Sequence, residues 1–158
     1  MVIQPAGIAD AKAILALQKI AYRSEAELYG NPGIPPMTQT LPELRAQFEN
    51  HVILKASTRR GRIVGSVRAR FAGGTCFIGR LLVHPQFQRR GLGTALMAAI
   101  ESRVPEAERF ELFTGHRSAG NLRLYRRLGY RELRRERVDA TLELVYLEKA
   151  SQPIVPSG

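Results

Sequence analysis

Gln88, Arg89, Arg90, Gly91, Leu92, Gly93 and Thr94 are the residues of this chain whose types and order best suit chemistry. The two arginines supply fixed positive charge. The two glycines lack Cβ atoms, so a ligand can come close to the backbone. Leu92, Leu96, Ala99 and Ile100 then recur at helical spacing, which puts the glycines at a helix N-terminus. Unpaired N–H groups and the positive end of the helix dipole favour an anion there. Together these features describe a cradle for a pyrophosphate. A Gly-x-Gly pair alone also suits a plain tight turn. Two nucleotide motifs are disfavoured: the dinucleotide fingerprint needs a glycine where Leu96 stands, and the P-loop needs a lysine between Gly93 and Thr94.

A second group lies further on, between His116 and Tyr130. Ser118 can cap a helix that carries Leu122, Tyr125 and Leu128 on one face, and Gly129 stands where a helix C′ residue belongs. Asn121 and Tyr125 are four apart and share a face. Taken alone, Tyr125 reads as a core tyrosine. His116 follows a strand end and has the pKa range of a base, although a loop histidine without a role fits as well. Glu25 and Glu27 fall in the first turn of a short helix, where the dipole already accounts for them.

The elements that must hold these groups can be read from periodicity. Val2 to Gln4 make a short strand, and Asp10 caps a helix with Ala13, Ile14, Leu17, Ile20 and Ala21 on its apolar face. A helical turn over 24–28, capped by Ser24, precedes a span with three prolines and two glycines that excludes regular structure. Ile34 and Met37 make that span partly apolar, as suits either a substrate wall or a packed surface connection. Thr40, Pro42 and Glu43 form a capping box for the next helix. Strands follow over 51–57, 62–71 and 76–83, with Gly73-Gly74 as a hairpin signal between the last two. In the second of these, Gly65, Val67, Ala69 and Phe71 share one face, and Ser66, Arg68 and Arg70 share the other. Pro85 ends the third strand just ahead of the glycine turn. The helix from Leu92 reaches about Arg103, a strand covers 110–114, and a last hairpin over 131–148 turns near Asp139-Ala140. Residues 1–149 make a single domain, and 150–158 are expected to be a flexible tail.

Composition is that of an ordinary globular chain, with 44% hydrophobic and 24% charged residues. No signal peptide and no membrane span are read. The single cysteine, Cys76, excludes an internal disulfide framework and suits a reducing, cytoplasmic setting. The net charge of +10 predicts affinity for anions. Nucleic acid is the weaker partner: arginines recur from 117 to 137, yet there is no long basic block, no aromatic basic stripe and no zinc-finger spacing.

The two groups together resemble the GNAT N-acetyltransferase superfamily. Gln88-Arg89-Arg90-Gly91-Leu92-Gly93, after Leu81-Leu82-Val83-His84-Pro85, resembles its acyl-CoA-binding motif. Asn121-x-x-x-Tyr125-x-x-Leu128-Gly129-Tyr130 resembles its second hallmark, in the same order along the chain. The element order β-α-α-β-β-β-α-β-α-β-β is also similar, so the resemblance covers nearly the whole chain; the loop at 34–40 lies outside the general pattern. It implies an α/β (α+β) fold with a mixed sheet of about seven strands and about four flanking helices. It also implies acetyl-CoA as co-substrate, no metal, and transfer to a primary amine by direct attack in a ternary complex. Backbone amides from Arg89 to Thr94, with Gln88, Arg90 and Asn121, would hold the cofactor, and a backbone N–H at Leu82 or Val83 would polarise the thioester. Tyr125 would be the general acid. The base stays open among Glu25, Glu111 and His116, because Ile78-Gly79-Arg80-Leu81 carries no carboxylate. Tyr22, Glu25, Tyr29, Pro35 and Pro36 would line the acceptor pocket. Family members often dimerise, and the terminal strands offer edges for a homodimer. A non-catalytic acyl-CoA sensor is the alternative use of the same fold.

Overall fold

The computed structural model describes residues 1–151. In chain order the elements are β1 (Val2–Pro5), α1 (Ala11–Ala21), α2 (Arg23–Leu28), α3 (Pro35–Thr38), α4 (Leu41–Gln47), β2 (Val52–Ser57), β3 (Ile63–Ala72), β4 (Thr75–Val83), α5 (Leu92–Ser102), β5 (Arg109–Gly115), α6 (Ala119–Arg127), β6 (Arg131–Arg137) and β7 (Glu143–Ala150). The seven strands form one sheet in the order β1-β2-β3-β4-β5-β7-β6. Every pairing is antiparallel except β4 with β5. This is the mixed sheet expected from the sequence, with four helices of seven residues or more and two shorter ones.

The parallel pair positions the site. β4 and β5 are joined only at Thr75–Arg109, Cys76–Phe110 and Phe77–Glu111. Beyond Phe77 they diverge, while β4 continues to Val83 and β5 to Gly115. A bulge helps to turn β4 away: Ser66 pairs with Leu82 and Arg68 with Gly79, so Arg80 and Leu81 together face Val67. Arg80 adopts φ 50 at that bulge.

Each face of the sheet has its own apolar cluster. Leu96, Met97 and Ile100 of α5 pack with Leu54, Val64 and Val67 on one face, joined by Leu122 and Tyr125 of α6. Ile14 and Leu17 of α1 pack with Leu44, Ile53 and Leu82 on the other.

Several local expectations need correction. Ala13 and Ile20 of α1 face solvent, and Gln18 is fully buried instead. Gln18 earns its place through polar partners: its amide donates to the Pro36 carbonyl at 2.9 Å and to Gln39 Oε1 at 2.9 Å. On the polar face of β3, Ser66 and Arg68 are also covered, with Arg68 only 2% exposed, while Arg70 faces solvent. Its guanidinium donates to the side-chain oxygens of Gln18, Gln39 and Gln47. Pro35–Thr38 form one helical turn despite the proline content, because Pro35 and Pro36 sit at its start, where no N–H is needed. Asp10 does not cap α1 with its side chain; its carboxylate accepts from Gly7 N–H at 2.8 Å and Lys55 Nζ at 2.9 Å. Ser24 lies inside α2 rather than capping it. The capping box at Thr40 and Glu43 forms as expected. So does the C-terminus of α6, where Gly129 takes φ 98 and Tyr130 N–H reaches back to the Tyr125 carbonyl at 3.0 Å. β7 includes Ala150, one residue past the expected domain end, and the expected tail lies outside the described residues from 152 on. Among the described residues no helix is long and apolar enough to cross a membrane.

Candidate active site

Two adjoining cavities open where β4 and β5 part. The larger, about 650 Å³, is lined by Leu81 and Val83 of β4, by Gln88, Arg89, Gly91, Gly93 and Thr94, by Arg117 just ahead of α6, and by one face of α6 with Asn121, Arg123 and Arg127. The glycine turn forms its floor. Arg89 has φ 63 and Gly91 φ 79, so backbone hands alternate as in an anion-binding nest ahead of α5. A Cβ on Gly91 would meet nothing within 4 Å, so backbone conformation rather than crowding selects glycine there. Gln88 Nε2 donates to the Val83 carbonyl at 3.3 Å and ties the turn to the strand end. Open groove, exposed amides and four arginines fit a polyphosphate-bearing ligand.

The smaller cavity, about 280 Å³, reaches inward from the split. Ile34, Pro35 and Pro36, Ile78, Arg80, Leu112, Tyr125 and Leu144 help to line it. Tyr22, Glu25, Leu81 and Asn121 border both cavities and mark their junction. Tyr125 is 6% exposed, and burial first, then the neighbouring Tyr22 and Glu25, push its phenol well above the ordinary range. Burial also raises Tyr22, against the pull of the adjacent Arg80. Both phenols therefore hold their protons at neutral pH.

A hydrogen-bonded chain fixes Glu25 at that junction. Tyr29 Oη accepts the Arg117 N–H at 2.9 Å and lies 2.8 Å from Ser118 Oγ. Ser118 Oγ donates to Glu25 Oε2 at 2.5 Å. Ser118 was expected to cap α6; it stands at the N-cap position, but this chain takes its hydroxyl instead. Gly115 makes room for Tyr29, since a Cβ there would sit 2.0 Å from the phenol oxygen. Asn121 Nδ2 donates to Thr114 Oγ1 at 3.3 Å, which fixes the first turn of α6 against β5.

The residues expected at the site separate clearly. Tyr22, Glu25, Tyr29, Pro35, Pro36 and Tyr125 meet at the inner cavity. Val83, Gln88, Arg89, Gly91, Leu92, Gly93, Thr94 and Asn121 meet at the groove. Arg90 lines neither cavity; its guanidinium lies over the Phe87 ring, 5.3 Å from the centroid. The Leu82 side chain is fully buried in the cluster beneath α1, so only its backbone can serve the site. Two of the three candidate bases also stand apart. Glu111 is paired with Arg109 at 2.8 Å, where β4 and β5 are still joined. His116 lines neither cavity, and its Nδ1 accepts the Glu143 N–H at 3.0 Å. Arg80, Arg117, Arg123 and Arg127 were not singled out as site residues. An arginine inside an otherwise apolar strand was the available signal for Arg80.

A mixed seven-stranded sheet that splits beside a glycine turn at a helix N-terminus defines the GNAT acetyltransferase architecture. Residues 17–130 match the model of the Acetyltransferase (GNAT) family, and the chain belongs to that family. It is similar in fold to the ribosomal-protein-S18-alanine N-acetyltransferase of Escherichia coli (16% identical, TM-score 0.80, 99% of this chain and 97% of that one). It is similar also to the PaiA N-acetyltransferase of Thermoplasma acidophilum in complex with coenzyme A (14% identical, TM-score 0.73, 96% and 100%). Among curated proteins it resembles the UPF0157 protein YqkA of Bacillus subtilis (strain 168), 29% identical over 122 residues. That match covers 77% of this chain but only 35% of the relative, so the chain spans about a third of the relative's length.

Proposed function

We propose that the protein transfers an acetyl group from acetyl-CoA to a primary amine in a ternary complex. The observation that carries this reading is the basic groove, floored by the nest at Arg89–Gly91, which meets an inner pocket where Tyr125 and Glu25 converge. The coenzyme A complex of a protein with the same fold supports the choice of donor. With one cysteine, buried in the core, the chain suits the cytoplasm.

Acetyl-CoA supplies an activated acyl carbon and a thiolate leaving group. The backbone amides around Gly91 and Gly93 hold its pyrophosphate, with Arg89 and the α6 arginines adding charge. The gap beyond Phe77 leaves room for its arm beside β4, where a backbone N–H at Leu82 or Val83 can bond the thioester carbonyl oxygen. Glu25 takes a proton from the acceptor ammonium, directly or through water, and leaves a neutral amine as nucleophile. As the C–N bond forms and the C–S bond breaks, the Tyr125 hydroxyl gives its proton to the departing sulfur. The second proton released by the amine returns the phenol to its neutral form. A free thiol has a pKa near about 8.5, so the acid contributes modestly.

Titration with acetyl-CoA, followed by thermal unfolding, tests the donor half. Stabilisation that saturates with cofactor is expected. Absence of stabilisation at millimolar cofactor would refute the reading.

A further inference from the structure

Arg80 carries an observation that the transfer reaction alone does not use. Its Nε is buried without a hydrogen-bond partner, and it stands on the β4 bulge at the wall of the inner cavity. Among the described residues no carboxylate pairs with it. Arg68, nearby, is bonded only to neutral glutamine side chains. Arg68 lines neither cavity, so Arg80 is the guanidinium and Glu25 the carboxylate that line this pocket. Arg80 is partly buried with its Nε enclosed, and its planar guanidinium fork matches a carboxylate in a two-bond arrangement. The remaining wall is mostly apolar, including Ile34, Pro36, Ile78, Leu112 and Leu144. At about 280 Å³ the cavity suits a small molecule rather than a long polyamine or a folded chain.

We infer that the acceptor is a small amino acid with an apolar side chain, whose carboxylate is received by Arg80 and whose amine faces Glu25. This rests on the acetyl-transfer reading and specifies its substrate class. Glu25 borders both cavities, whereas Arg80 lines only the inner one. The amine is thus directed to the junction and the carboxylate inward. A polyamine would instead bring a second ammonium towards Arg80 and is excluded by like charge.

The test compares matched pairs: leucine with 3-methylbutylamine, methionine with 3-methylthiopropylamine, phenylalanine with phenethylamine, and spermidine beside them. Free CoA and the N-acetyl product are both measured. The expected result is a kcat/KM at least about tenfold higher for the better amino acids than for their amines, because a site built for a polar group rejects the analogue lacking it. In Arg80→Met that ratio falls towards unity while acetyl-CoA still raises the melting temperature. Arg80→Lys retains part of the preference and serves if the Met variant fails to fold. Equal or better turnover of the amines or of spermidine overturns the inference. So does binding of acetyl-CoA with no amino acid acetylated, an outcome that leaves the donor reading standing. Absence of acetyl-CoA binding by the unmodified protein would remove both.

Discussion

Replacing Gly115 by alanine tests the chain of contacts that fixes Glu25. A Cβ at this position would lie 2.0 Å from Tyr29 Oη, 2.5 Å from Cζ and 2.9 Å from Cε2. Real side chains do not tolerate such separations, so Tyr29 must leave. It is 4% exposed, and its hydroxyl accepts from Arg117 N–H and bonds Ser118 Oγ, so leaving breaks one buried and one part-buried hydrogen bond. Each bond contributes about 1 kcal/mol, and forced repacking costs about 1–3 kcal/mol, for a loss of roughly 3–5 kcal/mol. At roughly 2–4 °C per kcal/mol for a chain of this size, melting should fall by about 6–20 °C. Differential scanning calorimetry measures this directly. Tyr29→Phe removes only the nearest atom and should rescue Gly115→Ala in part. Tyr29→Leu should rescue more and make the pair clearly non-additive. Turnover should fall with Gly115→Ala even where the protein remains folded, because Ser118 and Glu25 lose their anchor. A Gly115→Ala protein within about 0.5 kcal/mol of the parent would refute the packing reasoning.

Other consequences follow from the same geometry. Gly91→Glu should lower apo stability by only about 1–3 kcal/mol, the cost of a left-handed residue, yet abolish the thermal shift from acetyl-CoA by placing a carboxylate in the nest; a shift equal to that of the parent would count against the anion cradle. Tyr125→Phe should lower kcat by about 10–100-fold near neutral pH with little change in KM for acetyl-CoA, since the acid assists a good leaving group; an unchanged kcat would remove Tyr125 from the proton path. For Asp10, burial raises the pKa, but the hydrogen bonds from Lys55 and Gly7 outweigh it and leave the carboxyl below its usual value. A depressed folded-state pKa gives stability that is present above the unfolded pKa and lost as pH falls through the folded one, so Asp10→Asn should flatten the acid limb of the stability profile below about pH 4. An acid limb identical in parent and Asp10→Asn would contradict this.

Much of the fold was legible because its punctuation rests on local chemistry. The Thr40–Glu43 box, the hairpin at Gly73-Gly74 and the Gly129 terminus each need particular residue types at fixed offsets. The glycine turn is of the same kind: left-handed backbone before a helix leaves a mark in the sequence. What stayed hidden depends on pairs far apart in the chain. Ser118 reads locally as a cap, but Glu25, distant in sequence, takes its hydroxyl. The same contact holds Glu25 at the junction of the two cavities, where neither Glu111 nor His116 lies, and periodicity alone does not reveal that placement. Gln18 and Arg68 have the appearance of surface residues until α1, α4 and β3 are brought together around them. At the β4 bulge Gly79 is the local mark, but the left-handed φ of 50 falls on Arg80 instead, and its place in the pocket wall depends on α2, α3 and β5 coming together around it.

The central claim is that acetyl passes directly from the thioester to an amine. Acetyl-labelled acetyl-CoA in single turnover, with the protein in excess and an amino acid acceptor present, tests it most directly. The account predicts label in an N-acetyl product, free CoA formed in equal amount, and no label on the protein at any time. Label retained covalently by the protein before the acceptor is added, or CoA bound tightly with no transfer to any amine, would contradict it.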